Sequence, residues 1–413
     1  MNPFEQKVKP VEEYFMDWGK IYPKSYHKDD VDPYTKTRII LMNGTEFEAN
    51  WFSHQFHRHC PDNDLRREIA VMRRVEQQQQ KRIACLKPID ETLLETTIGY
   101  EQLAVDLTAI LAQQEPDPYV VEVMNLALLE DFDHLYRYAD LLELERGIHA
   151  EKLVGGYTEI MPGRPTISEH RHPRDSVRRY CDFKTAAPIT KLNTAIITAA
   201  EQQTMNYYMN IGSFYDTDRG RKLYQEIGMI EEQHVTQYGA LIDTRCSWLE
   251  SLLMHEYTEC YLYTSCFEDE TDPYVKKIWE EHLEQEIAHL HKAAELLKKY
   301  EGKEACEVIP DGTFPTLIKF SEQKNYVRKV LNDTVENTAD REEVRPLADL
   351  KPDADFYKYQ ETVNGNTAGV PSHVVIRDEI DVRGKDYRFE ESENPIPALR
   401  SREKDNTNVG RKV

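Results

Sequence analysis

The residues that could do chemistry in this chain are acids and histidines set at a repeated step. Glu201 is followed thirty residues later by Glu231-x-x-His234, and Glu256 thirty residues later by Glu286-x-x-His289. A fainter copy lies upstream, Glu101 with Asp131-x-x-His134. Residues i and i+3 share one face of a helix, so an acid and an imidazole at that spacing can reach one metal ion. Thirty residues make about two helical arms of fifteen, each roughly 22 Å long, folded back at a tip. The lone acid then stands level with the paired motif of its own hairpin. Two such hairpins face to face supply four carboxylates and two imidazoles, the ligand set of a di-iron or di-manganese carboxylate site.

The motif alone is weak, because acids and histidines are plentiful. Glu169-x-x-His172 fits it too, yet stands against Pro173 in a poor helix context and reads as chance. The shared thirty-residue step is not so easily accidental. Asp117-Pro118-Tyr119-Val120 precedes Asp131 by fourteen residues, and Asp272-Pro273-Tyr274-Val275 precedes Glu286 by the same fourteen. Leu135 and Leu290, Ala139 and Ala294, and the Leu pairs at 141–142 and 296–297 follow in register, so the hairpins read as internal duplicates. Each candidate ligand lies in an apolar stripe, as Glu201 does between Ile197 and Tyr208. Burying a carboxylate without a partner costs several kcal/mol, so acids repeated on apolar faces call for a cation.

The elements that must position these residues follow from breakers and periodicity. Hairpins are expected at 91–146, 190–243 and 246–300, after a helix over 62–86. Residues 1–60 read as a mixed segment in which Arg38–Met42, the Asn43-Gly44 turn and Glu46–Trp51 form a β-ribbon. His54, His57, His59 and Cys60 read there as a polar connection rather than as ligands. Residues 147–188 form a long connection broken by Gly155, Gly156, Pro162 and Pro165, with His170 and His172 as a hydrogen-bonded loop pair. A further helix is expected over 313–337. Residues 338–413 read as an extended, partly disordered tail, with 372–377 a lone strand or an arm. The domains so drawn are 1–60, 61–337 and 338–413.

Composition narrows the class. A net charge of −22 argues against nucleic acid and against an anionic membrane surface. No apolar run is long enough to span a bilayer, and MNPFEQKVKP does not read as a signal peptide. Seven scattered cysteines without a Cys-x-x-Cys suggest a reducing, cytoplasmic setting and exclude an in-chain four-cysteine iron centre.

The order lone Glu, Glu-x-x-His, lone Glu, Glu-x-x-His resembles the ferritin-like di-iron carboxylate superfamily, in its rubrerythrin-like and di-iron oxygenase-like branches. The likeness covers about 100 to 300. It implies an all-α fold: a ferritin-like four-helix bundle elaborated by an additional helical hairpin, the N-terminal β-ribbon and the extended tail. It implies two iron ions, with manganese the alternative, on Glu201, Glu231, His234, Glu256, Glu286 and His289, or on Glu101, Asp131 and His134 where hairpin one pairs. Glu259, three after Glu256, is similar to the extra glutamate of rubrerythrins. His282, in His282-x-x-x-Glu286-x-x-His289, resembles the three-histidine variant of di-iron arylamine N-oxygenases. The family joins two hairpins by a long crossover, and this chain reads as three hairpins, so the pairing stays open at this level.

The expected function is a non-haem di-iron or di-manganese oxidoreductase activating O₂ or peroxide, of peroxidase or oxygenase type, fed by an electron-donor protein. Tyr207, Tyr208, Tyr238 and Tyr263 lie close to the ligands in sequence, where they serve packing or electron transfer. The alternatives are a metal-binding or storage protein without turnover, and a helical scaffold with a degenerate site. Three half-sites in one chain leave one over, which makes a homodimer the expected assembly.

Overall fold

Side-chain caps start seven of the eight long helices among the described residues. In the computed structural model, which describes residues 1–384, 394, 396 and 397, eight long helices carry the fold. They are α1 (Pro33–His59), α2 (Asn63–Ala84), α3 (Leu93–Gln114), α4 (Pro118–Arg146), α5 (Pro188–Ile211), α6 (Asp218–Gly239), α7 (Trp248–Asp269) and α8 (Pro273–Glu301). Asp32, Asp62, Asp117, Thr217 and Asp272 accept hydrogen bonds from backbone N–H groups of the first turn of α1, α2, α4, α6 and α8. Thr92 with Glu95 and Ser247 with Glu250 form full capping boxes on α3 and α7. Gly147 and Gly302 end α4 and α8 in the left-handed conformation, at φ 65° and 70°, which a side chain would resist.

These boundaries repeat. Adding 155 to the first and last residues of α2, α3 and α4 gives those of α6, α7 and α8, and Pro33 of α1 maps onto Pro188 of α5. The acids keep the same offset: Glu46 to Glu201, Glu76 to Glu231, Glu101 to Glu256 and Asp131 to Glu286. The chain is thus a gapless tandem repeat over 33–146 and 188–301.

Two compact units form, and neither is one repeat. The first takes Met1–Asp90, Cys181–Gln203 and Ile242–Phe320; the second takes Glu91–Tyr180, Thr204–Leu241 and Ser321–Val413. In the first, α1 packs on α2, α7 on α8, α7 against α1 and α8 against α2. Arg38 on α1 locks to α7 through Asp269 at 2.7 Å and Glu270 at 2.9 Å, and Glu270 also accepts from the Trp279 indole. In the second, α3 packs on α4 and α4 on α6 around a core that includes Leu129, Phe132, Leu135, Tyr208 and Ile227.

Several expectations are overturned. The N-terminal β-ribbon does not exist: 33–59 is one helix, because Asp32 and Pro33 start it and the apolar run 39–42 is buried against helices rather than paired as a strand. Asn43-Gly44 is no turn; Gly44 sits inside α1, where an added Cβ would strike Gln203. With α2, α1 makes a fourth hairpin, so the domain boundary at 60 falls, and 61–337 is not one domain. The only strands among the described residues are β1 (Asn337–Asp340) and β2 (Glu343–Pro346), an antiparallel pair.

The helix expected over 313–337 shrinks to α9 (Lys324–Thr334). The tail folds as α10 (Asp355–Val363) and α11 (Pro371–Arg383), so 372–377 is helical. α11 packs on α4 and α6, and Glu226 accepts from the Ser372 backbone. The remainder of that expectation, 385–413 apart from three residues, lies outside the described residues. The chain is mostly helical, and among the described residues no helix is long and apolar enough to cross a membrane.

Candidate metal centres

In α2, α4, α6 and α8 the candidate acid stands fourteen residues after the N-cap: Glu76 after Asp62, Asp131 after Asp117, Glu231 after Thr217, Glu286 after Asp272. A fixed distance from a fixed helix start, about 21 Å at 1.5 Å per residue, brings the acids to matching depth.

In the first unit Glu46, Glu76, Glu256, Glu259, Glu286 and His289 are all buried. Ligand atoms of Glu76, Glu256 and His289 lie within 4.8 Å of one another, as do those of Glu256, Glu259 and Glu286, so Glu256 stands in both groups. His289 Nδ1 lies 3.1 Å from Glu286 and 3.7 Å from Glu256. Gln79, where α6 carries His234, donates to Glu286. Among the described residues, no cationic or amide group donates to Glu256 or Glu259, and His289 Nε2 has no hydrogen-bond partner. Burial, then the neighbouring carboxylates, pushes Glu46, Glu256 and Glu259 well above the usual carboxylate range, and burial raises Glu76 to about 6. His282 is tied to the Tyr263 hydroxyl at 3.2 Å, and Tyr263 donates to Glu46. His282 joins none of the candidate ligand groups.

The second unit handles its charges differently. His134 Nδ1 lies 2.9 Å from Glu231, and its Nε2 lies 2.9 Å from Glu169. His234 Nδ1 lies 3.1 Å from Asp131, and its Nε2 lies 2.8 Å from Glu130. Arg171 donates to Glu130, and Arg164 stands 3.6 Å away. Against the cost of burial, Arg171 and His234 hold Glu130 down at about 2. Glu169 and Glu231 lift His134 well above the ordinary imidazole value although burial opposes it. Tyr208 donates to Glu101, whose carboxyl burial raises. Ligand atoms of Glu101, His134 and Glu231 lie within 4.8 Å of one another, and Glu231 also stands 3.5 Å from His234 Nδ1, the nitrogen that faces Asp131. Glu201 stands on α5, two residues before the last one counted with the first unit.

The expected ligands therefore gather, in pairings the sequence left open. Hairpin one meets the second helix of hairpin two: Glu101, Asp131 and His134 stand with Glu231 and His234, whereas Glu201 is counted with the first unit. Hairpin three, with Glu256, Glu259, Glu286 and His289, meets the fourth hairpin. That hairpin was missed, although Glu46 and Glu76 keep the thirty-residue step and Glu76-x-x-Gln79 differs from the motif only in its last residue. The leftover half-site, the reason given for a second chain, does not exist.

Glu169 is not a chance match but the partner of His134, held by the single turn Thr166–Glu169. Its motif partner His172 instead accepts from the Arg174 backbone. Glu130 and Arg171 were also missed; Glu130 neighbours Asp131, and adjacent residues do not share a helix face. His57 and His59 belong to the last turns of α1, where His57 meets Arg66 and His59 the Gln55 carbonyl. His170 lies 3.9 Å from Glu226.

Each centre is a buried carboxylate and imidazole cluster whose donor set fits a hard or borderline metal ion. No protein-family model, curated protein or solved structure matches the chain.

Proposed function

We propose that the protein is a non-haem dinuclear carboxylate oxidoreductase, acting on O₂ or peroxide, with its working centre in the second unit. One observation carries this reading. Both imidazoles of that unit turn one nitrogen toward the shared carboxylates Glu231 and Asp131 and give the other to a buried carboxylate, Glu169 or Glu130. Metal-binding histidines are held in this way, because the far carboxylate fixes the ring and raises its basicity. Glu101, Asp131 and Glu231, with His134 and His234, would hold two ions, iron first and manganese as the alternative. Such ions would supply the redox chemistry.

The chain's own residues do the rest. Glu130, braced by Arg171, orients His234; Glu169 orients His134. Tyr208 donates a hydrogen bond to Glu101 and so fixes that carboxylate. Full burial of the cluster excludes bulk water. The ferritin-like resemblance supports the same reading.

A second reading, metal binding or storage without turnover, is favoured by the first unit. Five acids there face one ligand imidazole, and cation binding relieves such an excess. Metal analysis of protein from an iron-replete culture tests both: stray zinc alone, unchanged by H134A/H234A, sinks the metal reading. Oxidation of the reduced, iron-loaded protein by O₂ or peroxide separates turnover from storage.

A further inference from the structure

The tandem repeat places two cavities at matching positions, one in each unit, and gives them different linings. In the first unit a cavity of about 260 Å³ is lined by Asn50, His54, Ala70, Arg73, Arg74 and Gln77. In the second, a cavity of about 540 Å³ is lined by Met209, Gln225, Gly228, Met229 and Glu232, among others. These five stand 155 residues after His54, Ala70, Arg73, Arg74 and Gln77. Arg73 lies over Ser53, donating to its carbonyl at 3.5 Å and its hydroxyl at 3.4 Å. The counterpart of Ser53 is Tyr208 and that of Arg73 is Gly228. A Cβ on Gly228 would rest 3.6 Å from Tyr208 Cβ, an ordinary contact, and glycine sends no side chain of its own to where Arg73 reaches in the first unit. Replacing His, Arg and Arg by Met, Gly and Met turns a cationic niche into an apolar cavity twice the size.

We propose that the second unit's cavity binds a small apolar organic molecule carrying an aromatic ring, and that Gly228 admits it. The volume is that of ordinary ligand pockets. Tyr208, Tyr224 and the two methionines offer ring faces and thioether sulfurs, which favour aromatic guests. Net charge is balanced: Arg171 is paired with Glu130 through Nη1, and exposed Arg221 and Glu232 are of opposite sign, while the buried Nε and Nη2 of Arg171, without a hydrogen-bond partner among the described residues, leave donors for a neutral guest's hydroxyl. The guest would sit beside Tyr208, whose hydroxyl reaches Glu101, and beside Arg171, which braces the Glu130–His234 pair. Its meaning as a substrate rests on the metal reading above; its binding does not.

The test titrates 1-naphthol into the full-length protein as purified, following naphthol fluorescence, with metal content measured on the same samples. Saturable binding is expected, weakened about tenfold or more, roughly 1.4 kcal/mol, by G228R. Metal content should stay unchanged. The double variant M209H/M229R copies the first unit at two exposed positions and is expected to act likewise should G228R misfold. Unsaturable binding, or wild-type affinity in whichever variants fold, overturns the proposal. Loss of binding in G228R from a protein that holds no metal would keep the cavity and discard the metal reading. Full metal content with unaltered naphthol binding would do the reverse.

Discussion

The two units share one helical frame and the same acid spacing, yet they treat buried charge in opposite ways. In the second unit His134 and His234 sit among carboxylates that Arg171 and Arg164 help to neutralise. In the first unit no cationic or amide group donates to Glu256 or Glu259 among the described residues. Three exchanges at matching positions account for much of this. His234 corresponds to Gln79, Glu130 to Gln285, and Ala104 to Glu259. Frame and function are thus separable: helix lengths and caps set where acids meet, and a few side chains decide whether the meeting is self-satisfied or wants an outside cation.

The largest test of this contrast is ligand removal. H134A/H234A is expected to empty the second unit of about two ions while the first unit keeps its own, and E256A/E286A to do the converse. Metal analysis of the two variants decides it; equal loss from either would show one linked site rather than two.

Removing the brace comes next. Arg171→Ala leaves Glu130 buried beside His234 with Arg164 only at 3.6 Å, and breaking a buried ion pair costs about 3–5 kcal/mol. Chemical denaturation should show that loss. Arg74→Ala, at the surface of α2, should cost less than about 0.5 kcal/mol.

A smaller effect sharpens the role of the far carboxylates. Glu169→Gln or Glu130→Gln should weaken metal binding in the second unit by about 10–100-fold. The first unit's affinity, read by competition with a chelator, should not move. An unchanged second-unit affinity would make those contacts packing rather than ligand support.

The smallest effect concerns pH in the metal-free protein. Glu76 is raised in the folded state to about 6 from 4.5. Between those values the folded chain holds more protons than the unfolded one, so stability falls as pH rises through the window. Glu76→Gln should lessen that fall, the rest coming from the other raised acids, and Glu256→Gln should raise the metal-free melting temperature at neutral pH, by about 2–4 °C for each kcal/mol relieved. Metal should reverse the sign, because it binds the deprotonated acids. A melting temperature for E256Q below that of the metal-free parent would contradict this.

Much of this protein is set within single helices, and the sequence by itself determined that part. Caps such as Asp117, Asp272 and Ser247 act over one turn, so helix starts follow from local residue types. The i, i+3 pairing of Asp131 with His134 and of Glu286 with His289 follows from helical geometry alone, as does the thirty-residue step. Even the overlooked hairpin was written there, in Glu46 and Glu76, hidden by a Gln at 79 and by an Asn-Gly pair that mimics a turn.

What only the tertiary structure decided is which hairpins meet. The repeated halves present similar faces, so their sequences give no local reason for hairpin three to join α1 and α2 rather than its own repeat's hairpin. That choice lies in contacts between residues some two hundred apart, such as Arg38 with Glu270. The same holds for Glu169, whose loop had no periodicity to announce it; only the fold of 147–180 carries it to His134. Local hydrogen bonds and helical period act over a few residues and are legible in one dimension. Burial and charge pairing act across the packed interior, where distance along the chain carries no information.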